Sequence, residues 1–288
     1  MTSQLKACIW MLGAVVSFSA MALAGRIVSV DLDTFEIMTY RSLVGVVVMT
    51  TIIFASGGVR RIQTDRFSLH LIRNICHFTG QNLWFYALTL IPLAQLFALE
   101  FTTPLWVLIL SPLLLSERLT RVRILVALIG FSGVLIVTRP TMGSISVGTL
   151  TAASSAIFFA GSILFTRKLT ADQSTLTILT WLVGLQAVFG IICAGIDGDI
   201  AAPSLAMTPF IIIIGFAGLL AHACLVQALS LAPAMLVVPI DFLRLPLIAV
   251  LAMILFGEHL DPWVFVGAAL IFGANYTNIW AETRNSRS

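Results

Sequence analysis

Ten apolar stretches, each about as long as a bilayer is thick, follow one another almost without pause. A spanning helix needs roughly 20 apolar residues, and that ruler predicts spans near 6–25, 36–56, 68–90, 94–115, 122–138, 148–166, 175–195, 208–230, 235–256 and 262–281. The connections are short, the longest reading IDGDIAAPSLAM near 196–207. Only 10% of the 288 residues are charged, against about 25% in a soluble domain. Such a chain cannot cover itself with a water-compatible surface, so the fold expected is an all-α membrane protein with no soluble domain. Lys6, an apolar run and Ala22-Leu23-Ala24 imitate a secretory signal, but the repeat described next predicts that the segment is retained.

Sliding the chain against itself by 141 positions carries Arg26 onto Arg167, Thr39 onto Thr180, Pro92 onto Pro233, Glu100-Phe101 onto Asp241-Phe242 and Glu117 onto Glu258. Apolar runs align by accident; charged and proline positions at one gapless offset do not. The reading is a tandem duplication, 1–141 and 142–288, with five spans in each half. Five is odd, so the second copy enters the membrane from the other side. The distribution of basic residues supports this. With the N-terminus in the cytoplasm, inner connections hold Lys6, Arg60, Arg61, Arg66, Arg118, Arg121, Arg123, Arg167, Lys168, Arg284 and Arg287, and outer ones only Arg26 and Arg139. Ten transmembrane helices in two inverted five-helix repeats, with both termini cytoplasmic, is the expected topology. In secondary transporters built this way the substrate sits near the midplane, where the halves meet.

Glu100 lies in LFALEFTTPLWVLIL with no other charge, and Asp241 lies in VVPIDFLRLPLIAVL. Ionisable groups inside spans are costly and mark functional sites by default. Glu100 has no cation within a turn of its own helix. Either it keeps its proton and trades it with a cavity, a route to proton coupling, or it pairs with Arg41 or Arg73. Asp241 and Arg244 are three apart, close enough to pair within a helix; Arg244 is alternatively an anchor for a substrate carboxylate. Asn74, His77, Gln81 and Trp84 recur at spacings of three and four, which puts them on one helical face. That face lines a cavity or bonds a neighbouring helix. His222 falls opposite Gln81 under the offset. Arg41, beside Tyr40, anchors substrate or snorkels to the outer headgroups, and snorkelling is the simpler reading. Pro92, Pro104, Pro112, Pro233, Pro239 and Pro246 cluster around the two acid-bearing spans, where each removes a backbone donor and can kink its helix.

The runs FYALTLIPLAQLFALEFTTPLWVLILSPLLLSERLT, RSLVG and LIGFSGVLIV resemble the EamA-type repeat of the drug/metabolite transporter superfamily, and LVQALSLAPAMLVVPIDFLRLPLIAVLAMILFGEHLD resembles the same unit more loosely. The resemblance covers essentially the whole chain. It implies a ten-helix carrier working by alternating access on small organic molecules. Similar proteins include exporters of amino acids and importers of riboflavin or S-adenosylmethionine.

The expected function is therefore secondary transport of a small metabolite across a bacterial inner membrane, an amino acid or related zwitterion, with export favoured. Uptake of a larger metabolite, a vitamin or nucleoside-like compound, is the alternative. Candidate substrate-binding residues are Tyr40, Asn74, His77, Gln81, Trp84, Glu100, His222, Asp241 and Arg244, with Glu100 the candidate for proton coupling. The expected partners are the small-molecule substrate, the lipid bilayer and protons, with the chain a monomer or weak homodimer. No catalytic residue, cofactor or metal is expected, and no nucleic acid. Cys8, Cys76, Cys193 and Cys224 form no CxxC pair and read as small core residues. A rival reading takes Gly130-Phe131-Ser132-Gly133 as an intramembrane protease motif with His222 as base.

Overall fold

The computed structural model describes residues 3–55, 57–115, 121–139, 146–196, 198–231, 240–241 and 243–285. Glu117, Arg118, Pro233, Pro239, Phe242 and Arg287 of the sequence reading lie outside them. Among the described residues the structure is helical throughout, with no strand. The helices are α1 (Ser3–Val28), α2 (Thr34–Ala55), α3 (Phe67–Leu90), α4 (Leu93–Glu100), α5 (Thr103–Leu115), α6 (Arg121–Thr138), α7 (Val147–Leu169), α8 (Thr175–Ala194), α9 (Thr208–Leu231), α10 (Arg244–Phe256) and α11 (Pro262–Asn285). A single 3₁₀ turn, Val59–Arg61, precedes α3.

Among the described residues six segments are both long and apolar enough to cross a membrane: α1, α2, Leu93–Leu114 (which joins α4 to α5), α7, α8 and Thr208–Leu225 within α9. The 24 residues of α3 reach as far, but His70, Arg73, Asn74, His77, Gln81 and Asn82 make it more polar. All six of those side chains are buried, while Ile72, Ile75 and Tyr86 of the same helix are exposed, so α3 turns its polar face to protein and an apolar one outward. The outward surface is the reverse: Val47, Phe54, Leu113, Leu128, Ile192 and Ile254 are each at least 60% exposed. An apolar surface spread over so many helices needs lipid around it.

Local chemistry sets where the helices begin and end. Asp33 and Glu36 cap α2 reciprocally: each backbone N–H donates to the other's carboxylate at 2.8 Å, satisfying donors the helix cannot. Ser146 and Ser174 cap α7 and α8, their hydroxyls accepting from Thr149 and Thr177. Gly257, at φ 67°, closes α10 in the left-handed region that glycine enters without penalty.

The span expected at 94–115 is broken. Pro104 has no N–H to give the Glu100 carbonyl and disfavours helical geometry at the residue before it. The Thr103 hydroxyl donates to that carbonyl instead, at 2.6 Å, and Thr102 donates to Leu99 at 2.7 Å. The helix stops at Glu100 and restarts at Thr103.

Neighbours in the bundle come from both ends of the sequence: α1 packs along α9, α3 along α7, α2 along α8, α6 along α11, and α4 against α10. In the α6–α11 pair a Cβ on Gly133 would lie 2.7 Å from the Gly267 carbonyl, and one on Gly267 would lie 2.6 Å from that of Gly133. The two backbones touch. Polar ties close each end. Where α1 finishes, Arg26 pairs with Glu258 at 2.9 Å, Arg139 pairs with Asp261, and Glu36 accepts from the Ala201 N–H at 2.6 Å. At the start of α3, Arg66 binds Asp172 at 2.8 Å. Gln63 there accepts from Ser174 N–H and, through its carbonyl, from Trp181.

Candidate functional site

The break after Glu100 leaves its side chain at a helix end in the middle of the bundle. Its two oxygens are held from two directions. Trp84 Nε1 on α3 donates to Oε2 at 2.8 Å, and Arg244 Nη2 on α10 donates to Oε1 at 3.1 Å. Arg244 Nη2 also reaches Asp241 Oδ2 at 3.2 Å, the pair that the spacing of three anticipates. The partner of Glu100 is therefore Arg244, not Arg41 or Arg73. Three phenyl rings surround the same guanidinium, whose Cζ lies 4.9 Å from Phe18, 4.9 Å from Phe97 and 5.1 Å from Phe101. A cation over aromatic faces gains from the ring quadrupole, the more so when desolvated. The group is not closed on itself: Arg244 Nε and Asp241 Oδ1 are buried with no partner among the described residues.

Phe18 has a second neighbour, the ring of His222, at 5.5 Å edge to face. His222 in turn meets His77 at 5.9 Å, and His77 meets Phe159 at 5.9 Å. Beyond His222 is a cavity of about 20 Å³ lined by Arg41, Ser42, Gln186 and the thin wall of Gly45, Gly215 and Gly218. A cavity of that size accommodates about one water molecule. The expected snorkelling of Arg41 does not occur: its Nη2 lies 3.0 Å from where a Cβ on Gly218 would be, so the side chain crosses toward α9. It fits there because glycine at 218 leaves room.

The rest of the expected site disperses. Asn74 donates to the His70 carbonyl one turn back and accepts from Arg73, so it is consumed within its own helix. Arg73 is only 5% exposed and donates to Thr166 on α7 at 3.1 Å; it does not snorkel either. Tyr40 donates its hydroxyl to the Ala201 carbonyl at 2.9 Å, holding the segment before α9. Gln81 is buried beside the cluster's helix with no hydrogen-bond partner among the described residues. Trp84, Glu100, Asp241 and Arg244 form one group, and His77 with His222 a second. The Ser132 hydroxyl donates to the Ile129 carbonyl of its own helix, and no hydrogen bond joins it to His222, which removes the geometry the protease reading needs. Among the described residues no three His, Cys, Asp or Glu side chains gather as metal ligands. Sequence reasoning missed Gln186, although a glutamine alone in an apolar span was a signal, and it missed Phe18, which carried none.

A polytopic helical bundle with an ion cluster buried at a broken helix is that of a multi-pass membrane protein. The chain belongs to the EamA-like transporter family, whose pattern it matches twice, over residues 5–139 and 146–279. It is similar to a riboflavin transporter of Brucella anthropi, 30% identical over 256 residues, 88% of this chain and 90% of that one. It is also similar to an S-adenosylmethionine uptake transporter of Rickettsia bellii, 26% identical over 96% of this chain and 94% of that one. A solved crystal structure shares the fold with a TM-score of 0.67 at 19% identity, covering 96% of this chain and 98% of that chain.

Proposed function

We propose that the chain is a ten-span secondary carrier that takes up a bulky heteroaromatic metabolite by alternating access, with residues 1–141 and 142–288 as inverted halves. The observation that carries this is the Trp84–Glu100–Arg244–Asp241 cluster. Two of its charged groups come from opposite halves, and it offers donors, an acceptor and aromatic faces in one place. The offset supports the duplication: α2 and α8 begin at Thr34 and Thr175, α3 and α9 at Phe67 and Thr208, and α5 and α10 at Thr103 and Arg244, each 141 apart. The packing is compatible with a pseudo-twofold, because the α1–α9 pair becomes the α7–α3 pair when the halves are exchanged. Broken helices beside such a site are the usual arrangement in transporters with inverted repeats.

The expected amino-acid export gives way to uptake of a vitamin- or nucleoside-like compound. The similar proteins named above carry riboflavin and S-adenosylmethionine, and both cargoes present a flat ring to aromatic walls. In this reading the chain lies in a bacterial inner membrane with both termini cytoplasmic, and Glu100 is the group through which a proton gradient would act. Protonating it would release Arg244 to cargo. Counterflow in proteoliposomes loaded with riboflavin or with S-adenosylmethionine tests the reading: one of them exchanges against labelled external compound. If neither does, while a labelled amino acid exchanges, the cargo class is wrong.

A further inference from the structure

We infer that Glu36 with Tyr40, and Thr177 with Trp181, are two matched latches at opposite ends of the bundle, and that release of one or the other opens the carrier to one face. The inference rests on the alternating-access reading above; the hydrogen bonds it starts from do not.

The α2–α8 pair is antiparallel. A Cβ on Gly190, late in α8, would lie 2.9 Å from Thr39 Cα, early in α2, and one on Gly45 would lie 2.8 Å from the Val183 side chain. Each helix therefore starts beside the end of the other, and beside the connection that follows it. At the start of α2, Glu36 Oε1 accepts from the Ala201 N–H at 2.6 Å, and the Tyr40 hydroxyl donates to the Ala201 carbonyl at 2.9 Å. At the start of α8, Thr177 Oγ1 accepts from the Gln63 N–H at 3.3 Å, and Trp181 Nε1 donates to the Gln63 carbonyl at 3.0 Å. The two arrangements are one device used twice. An acceptor and, one turn on, an aromatic donor hold both backbone groups of a single loop residue.

The positions agree as well as the bonds. Glu36 and Thr177 are 141 apart, and so are Tyr40 and Trp181. Asp33 and Ser174, 141 apart again, accept from the N–H groups of Glu36 and Thr177. Only backbone is gripped, so the held residue is free to differ: it is alanine in one connection and glutamine in the other. The Gln63 side chain adds a bond to the Asp172 carbonyl at 3.2 Å and one from the Ser174 N–H at 3.1 Å. That offsets a weaker acceptor, since Thr177 supplies a hydroxyl where Glu36 supplies a carboxylate.

What the latches hold decides what they do. The connection through Ala201 enters α9 at Thr208, and the one through Gln63 enters α3 at Phe67. These two helices carry His222 on one side and His77 and Trp84 on the other. Each latch thus fixes the entry of a site-bearing helix to the α2–α8 pair, one at each end. Water replaces such bonds at small net cost, so losing one shifts an opening equilibrium only about two- to tenfold. Both latches are engaged in this structure, which closes the ion cluster from both faces. In the proposed topology the Ala201 latch faces outward and the Gln63 latch faces the cytoplasm.

The test reads each end separately and needs no cargo. Spin labels go on cysteines placed at the exposed positions Val30 and Leu205 for one end, and Ala171 and Thr64 for the other, in a background lacking the native cysteines. The second pair is the first displaced by 141 positions. Pulsed electron resonance then follows each separation in lipid nanodiscs. Tyr40→Phe raises the long-separation population of the Val30–Leu205 pair about two- to tenfold and does not lengthen the other pair. Trp181→Phe does the reverse, and Thr177→Val, which removes only the acceptor from the same latch, acts as Trp181→Phe does. Groups that merely hold the fold together would lower Tm and broaden both pairs alike; that result overturns the latches, and so does an unchanged separation in both. Counterflow that fails with both compounds, while each pair lengthens at its own end, removes the uptake reading and leaves the latches. Cargo exchange by a protein whose label pairs ignore these substitutions does the opposite.

Discussion

Arg26 and Glu258, 232 residues apart in sequence, lie 2.9 Å apart where α1 ends and α10 gives way to α11. The contact is larger than one ion pair. Arg26 also donates to the Ile91 carbonyl at 3.1 Å, and Glu258 accepts from the Leu93 N–H at 2.7 Å. Four segments are pinned at one point. Glu258→Gln keeps the shape and loses the charge; with both side chains partly exposed the loss is about 1 kcal/mol, or roughly a fivefold shift toward opening at this end. Thiol labelling of a cysteine placed at Ala94, in a background lacking the native cysteines, should quicken by that factor. The same rate in both proteins would show that the pair does not hold this end shut.

Glu100→Gln should leave the Trp84 contact in place, because a glutamine oxygen also accepts, and deprive Arg244 of one of its two carboxylates. Removing one member of a buried pair costs about 3–5 kcal/mol; Glu100 is 18% exposed and Asp241 remains, so about 2 kcal/mol of stability is the expected loss. For transport, accumulation driven by an imposed pH gradient should disappear while exchange without a gradient persists. Accumulation by wild type that ignores the gradient would end the coupling reading.

Trp84→Phe keeps an aromatic ring beside Phe85 and Phe97, which Trp84 meets edge to face, and removes the indole donor to Glu100 together with one fused ring. A hydrogen bond to a charged group is worth about 1.5–3 kcal/mol. Stability should fall within that range, and counterflow by about tenfold. A Tm within a degree of wild type would show that another donor replaces the indole.

Gly267→Ala should destabilise by about 1–3 kcal/mol, the usual cost of overpacking, because the new methyl meets the α6 backbone at the Gly133 carbonyl and Val137 nitrogen as well as the Val137 side chain. Gly184→Ala is the matched control. Nothing lies within 4 Å of its Cβ position, and alanine is the better helix former by about 1 kcal/mol. Unfolding in graded detergent mixtures should separate the two in opposite directions.

The sequence made some of this plain and concealed the rest for definite reasons. A carboxylate in an apolar span has few places to go, so Glu100 and Asp241 were legible as functional candidates from their surroundings alone. The stripe on α3 was legible as a buried face, since polar residues at spacings of three and four cannot meet lipid. What spacing could not tell was whether each member reaches across or turns back: Asn74 bonds its own helix, and Trp84 reaches α4. The direction of Arg41 depends on a glycine far along the chain, at 218, leaving room on the facing helix. Phe18 looked like any other apolar residue until the bundle brought two unlike clusters to its two sides.

The gap between Glu100 and Thr103 bears on how such a bundle can move. A continuous helix resists bending because its ladder must be torn somewhere, but here Pro104 never supplied that rung and two threonine hydroxyls already satisfy the carbonyls at the joint. The halves of this span can swing against each other at small enthalpic cost, and the carboxylate that meets Arg244 rides on the pivot itself.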